Sequence, residues 1–92
     1  MAMLFQPDGS HSVVEPKNGQ DFSLEELKEF MNGAWIEVVT LVYGSIRMVV
    51  DEDGKRKELA INEQATHLYN ETHRIPDIIV GPALICNWEE IE

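Results

Sequence analysis

Apolar and polar positions along this chain repeat with two different periods, and the switches between them mark out its elements. The most apolar stretch, Gly33 to Asp51, sets two β-branched and aromatic runs on either side of Tyr43-Gly44-Ser45, the pattern of a β-hairpin. On its first strand Ile36, Val38, Thr40 and Val42 share one face, and Trp35, Glu37, Val39 and Leu41 share the other. Both faces are largely apolar, which predicts a strand covered on both sides or inside a strongly curled sheet, at the centre of the core.

A helix leads into that hairpin. Ser23 followed three residues later by Glu26 makes a capping box, and Phe22 and Leu27 are spaced as a hydrophobic staple. Leu24, Leu27, Phe30 and Met31 form one apolar face, and Asn32-Gly33 supplies the stop, so the helix is predicted over about 24–32. Ahead of it, Met3 to Gln6 and Val13 to Glu15 flank the turn residues Pro7-Asp8-Gly9 and predict a short first hairpin. Downstream, Asp51-Glu52-Asp53-Gly54 is a second turn, and Asn62 is the N-cap of a shorter helix predicted over about 63–69, with Ala65, Leu68 and Tyr69 as its apolar stripe. Asp77 to Val80 and Ala83 to Trp88, broken by Gly81-Pro82, predict one bent strand or two short ones, and the tail after Trp88 is expected to fray. The expected fold is a single α+β domain, residues 1–92: a mostly antiparallel sheet of four to six strands packed by one clear helix and one shorter one.

Charge narrows the partners. Seventeen acidic against seven basic residues give a formal net charge of −10. General nucleic-acid binding draws most of its affinity from neutralising phosphates and needs the opposite balance. An acidic surface fits solubility, a basic protein partner, or imitation of a nucleic acid. The lone Cys86 cannot form an internal disulfide and, beside Leu84 and Ile85, is expected to be buried. The amino terminus lacks a basic region and a long apolar core, and no apolar run approaches the ~20 residues of a membrane span, so the expected compartment is the cytoplasm.

Candidate chemistry is sparse. His11, His67, His73 and Cys86 lack the paired short spacings of a metal site, and no metal or other cofactor is expected. Asp51-x-Asp53-Gly54 places its glycine too early for a calcium loop. Glu37, if buried, would favour its neutral form and could serve as a general acid; an ion pair with Arg47 or Arg74, or simple exposure, is the plainer alternative. No nucleophile motif is present, and catalysis is not expected. The few cations stand out: Lys55, Arg56 and Lys57 cluster in one loop, with Asn62 at the next helix start and Arg74 further on. Such a set could hold a phosphate, with an aromatic such as Trp35, Tyr43, Tyr69 or Trp88 stacking a base; a solvated turn with balancing charges is the plainer alternative.

The chain also resembles a known family. Its Val14-Glu15-Pro16, the helix Leu24-Glu25-Glu26-Leu27 running into Gly33-Ala34-Trp35-Ile36-Glu37-Val38-Val39, Met48-Val49-Val50-Asp51-Glu52-Asp53-Gly54-Lys55, Ile61-Asn62, Ala65-Thr66, and Asp77-Ile78-Ile79-Val80-Gly81-Pro82-Ala83-Leu84-Ile85 are similar to the domain of unknown function 3846 family, small proteins of phages, plasmids and bacteria with mobile elements. The departures are Trp35, where the family often has tyrosine, and Pro82. The resemblance implies a shared fold and a mobile-element context, and no particular activity. Three functions follow in order: a non-catalytic counter-defence protein that binds and occludes a host protein; a sponge holding a nucleotide immune signal at Lys55 to Lys57, Asn62 and Arg74 in an oligomer interface; and a small enzyme using Glu37. A homodimer or higher homo-oligomer is compatible with each, with Trp35, Tyr43 and Trp88 as interface candidates.

Overall fold

Two hairpins flank a strand that comes from the far end of the chain. The computed structural model describes residues 2–41 and 45–91. Strands β1 (Ala2–Phe5) and β2 (His11–Val14) form the first hairpin, β3 (Ile36–Thr40) and β4 (Ile46–Asp51) the second, and β5 (Ala83–Asn87) lies between them. The sheet order is β2-β1-β5-β4-β3, and every pairing is antiparallel. With helices α1 (Leu24–Phe30) and α2 (Glu63–Thr72), the fold is α+β, as the hydrophobic pattern predicts.

Helix α1 owes its start to the capping box: Ser23 Oγ accepts from Glu26 N at 3.2 Å and Glu26 Oε1 accepts from Ser23 N at 3.0 Å. It ends where Asn32 (φ 59°) and Gly33 (φ 84°) turn left-handed, and Gly33 N donates to Lys28 O. Seven residues are too few to be helical alone, so buried side chains must hold it. Phe22, Leu27 and Met31 are essentially inaccessible and pack with Val49, Leu84 and Cys86 on one face of the sheet. Burying side chains of this size contributes about 1.5–3 kcal/mol each, enough to offset the poor intrinsic stability of one short helix.

The opposite face packs against α2. Met48, Val50 and Ala83 meet Leu41, Ala65 and Ile79 there. This helix runs three residues past the predicted end, because Thr72 Oγ1 donates to Tyr69 O and the His73 ring hydrogen-bonds the same carbonyl. Those side chains close the last turn in place of an apolar stripe.

Several expectations need correction. The first strand of the central hairpin is an edge, not a strand covered on both sides: Glu37, Val38 and Thr40 are exposed, and β5 occupies the centre of the sheet. Burial in that hairpin belongs to β4, where Met48 and Val49 are fully buried. The apolar run before Gly81 is not a strand; only Val80 bridges, to Ile61. The tail does not fray up to Ile91, since Glu90 O accepts from Phe22 N at 2.6 Å and Ile91 bridges Phe22. Cys86 is buried as expected; burial first, and nearby Glu90 second, push its thiol up to about 11.

Candidate functional site

Strand β3 ends the sheet, and of its residues only Val39 joins the apolar cluster that includes Ala65 of α2. Between β3, the 51–58 turn, the end of α2 at Tyr69 and the loop of residues 77–80 lies a cleft of about 580 Å³. Val39, Val50 and Ile79 give it apolar lining, and Glu37, Glu52, Asp53 and Asp77 give it carboxylates.

The turn that forms one wall is built by ion pairs. Asp51, nearly inaccessible, accepts from Asp53 N at 2.8 Å with one oxygen and from Lys57 Nζ at 2.9 Å with the other. Arg56 Nη2 lies 3.0 Å from Asp53 Oδ2, three residues back. Lys55 Nζ reaches across to Asp77 Oδ1 and ties the turn to the opposite wall. That hydrogen bond, and then the one from Ile78 N, hold the Asp77 carboxyl below its ordinary value.

Each member of the basic run therefore faces a carboxylate already. The loop of Lys55, Arg56 and Lys57 is a clasp with balanced charges, and a phosphate would have to displace an aspartate from each cation. Asn62 is not available to a ligand: it is fully buried, Nδ2 donates to Phe5 O (3.0 Å) and Gly81 O (2.9 Å), and Oδ1 accepts from Ala65 N. Arg74 is exposed in the loop after α2 and does not line the cleft. Within a single chain the five residues proposed for a nucleotide are thus not brought together around one space.

Glu37 lies on the cleft wall and is exposed, so the burial that would make it a general acid is not met. Arg47 stands opposite Thr40, and its side chain therefore lies on the other face of the sheet from Glu37, so those two do not pair. With the three clasp pairs cancelling, Glu37 and Glu52 remain as cleft carboxylates that make no ion pair with another described residue. Glu52 escaped the sequence reading, where it was one residue of an acidic turn; only the pairing of its neighbours distinguishes it.

The interface candidates separate. Trp35 is 61 % exposed just before β3, with Lys28 Nζ 4.1 Å from its ring centre, a cation–π contact. Trp88 is 54 % exposed beyond the opposite end of the sheet, where its backbone N–H donates to Ser45 O. Tyr43 lies outside the described residues. His67 pairs with Glu71 and His73 stacks on Tyr69 at 3.9 Å, and among the described residues no group of three potential ligands is placed to hold a metal ion. None of the described helices is long and apolar enough to cross a membrane.

Comparison with known proteins adds one finding. A family model described as Domain of unknown function (DUF3846) matches residues 1–92, and the chain belongs to that family. Searches of curated proteins and of solved structures returned no match.

Proposed function

We propose that this member of the family is a non-catalytic accessory protein of phages or mobile elements that acts in the host cytoplasm by binding and occluding a host protein, with a defence nuclease or restriction component as the target class. One observation carries the reading: an open sheet edge borders a cleft in which, among the described residues, Glu37 and Glu52 are the carboxylates without an ion pair. Carboxylates facing an open cleft attract a basic surface, and a chain of formal net charge −10 steers such a partner from a distance. The test compares proteins retained from host lysate by the wild type and by a Glu37→Lys, Glu52→Lys double variant, at low and high salt. A defined basic partner that is lost in both the variant and high salt is expected. A partner indifferent to both, or no partner at all, would sink the reading.

A further inference from the structure

The hydrogen-bond parity of β3 narrows what kind of segment this surface takes. Trp35 O accepts from Glu52 N at 3.0 Å, and Leu41 N donates to Ile46 O at 2.9 Å. Both are directly opposed pairs once the register, Ile36 to Asp51 through Thr40 to Arg47, is extended by one residue at each end. Opposed residues in an antiparallel pair alternate between exchanging both backbone hydrogen bonds and exchanging none. Residues 35, 37, 39 and 41 therefore spend their backbone groups on β4. Ile36, Val38 and Thr40 turn three N–H and three C=O groups outward, past the last strand of the sheet.

Natural edges are usually blunted by charged side chains, lysine above all, by proline or by a bulge. β3 reads Ile-Glu-Val-Val-Thr: it has neither lysine nor proline, and its one charge, Glu37, repels another acidic strand and attracts a basic one. Building on the proposed binding function, we infer that β3 receives an extended basic segment of the partner protein as a sixth strand, with Lys or Arg at every second position. Neighbouring residues across a strand pair point to the same side of the sheet. Alternate side chains of the added strand thus enter the cleft beside Glu37 and Val39, within reach of Glu52, and those between lie beside Ile36 and Val38, where apolar residues fit. A strand added in either direction satisfies this alternation. A second copy of this chain fits poorly, because it brings another acidic strand and another net charge of −10.

The probe is a capped synthetic peptide, Lys-Val-Lys-Val-Lys-Val-Lys, followed by fluorescence anisotropy. Two controls accompany it: the same residues in block order, and the alternating peptide N-methylated at every second amide, made in both phases. The protein variant is Val38→Pro, which removes an outward N–H and leaves the bonds to β4 in place, an edge setting in which a strand tolerates proline. The alternating peptide is expected to bind, Val38→Pro to weaken it about tenfold, or 1.4 kcal/mol, the size of one net hydrogen bond, and one N-methylation phase, which removes up to three such bonds, to weaken it by more than that. Equal binding of alternating, block and both methylated peptides would overturn strand addition and leave an ionic docking site. Failure of every peptide to bind would overturn both readings. A dimer that dissolves in Val38→Pro and is not displaced by peptide would overturn the basic segment in favour of a second copy. Should Val38→Pro fail to fold, the methylated peptides decide alone.

Discussion

Replacing Asn62 by alanine removes more than a helix cap. Its Oδ1 caps α2 at Ala65 N, a contact worth about 1 kcal/mol in comparable helices. Its amide also donates to Phe5 O at the end of β1 and to Gly81 O just before β5, residues 57 and 19 positions away. Truncation takes the side-chain donor from Gly81 O in a buried site and from Phe5 O in a half-buried one, at about 1–2 kcal/mol each. The expected loss is about 3–5 kcal/mol, a large share of the roughly 5–15 kcal/mol that holds a domain together. Asn62→Asp separates the two roles. It keeps the cap acceptor and replaces the donor by a second carboxylate oxygen facing two carbonyls, so it is expected to be at least as damaging at neutral pH. Urea unfolding followed by circular dichroism measures both. If Asn62→Ala costs under about 1 kcal/mol, or Asn62→Asp is harmless, the residue is only a cap and the tie to β1 and Gly81 contributes nothing.

Gly81 holds φ +76°, and a Cβ there would stand 2.7 Å from Leu59 Cδ1. Gly81→Ala is therefore expected to cost about 1–3 kcal/mol in the same unfolding assay, and an unchanged midpoint would contradict the strain. Asp77 gives a pH signature. Its folded-state pKa is lowered, chiefly by Lys55, so the stability it adds is present above its unfolded value near 4 and is lost as pH falls through the lower folded value. The gap in stability between wild type and Asp77→Asn is expected to shrink between pH 7 and pH 3; a gap constant across that range would contradict the assignment.

Local signals carried far in this chain, and long-range ones were silent. The capping box at Ser23 and Glu26 and the Asn32-Gly33 stop are neighbours in sequence, and α1 follows them closely. The Asn62 cap was equally visible, while its bonds to Phe5 and Gly81 were not, because nothing near Asn62 marks residues so distant. The basic run at Lys55 looked like an anion site for the same reason: Asp77, the partner of Lys55, lies 22 residues downstream. Apolar content also failed to rank the strands. β3 and β4 are similarly apolar, yet pairing with β5 buries Met48 and Val49 while Val38 stays 42 % exposed. Side-chain polarity does not say whether a strand has one neighbour or two, and the candidate site depends on that difference.

Amide hydrogen exchange along β3, with and without the alternating Lys-Val peptide, tests the central claim most directly. In the free chain the amides of Ile36, Val38 and Thr40 are expected to exchange fast and those of Glu37 and Val39 slowly, because only the latter bond to β4. Peptide should slow the first set and leave the second little changed. Uniform exchange along the strand in the free chain, or no slowing at Val38 when peptide is bound, would contradict the account.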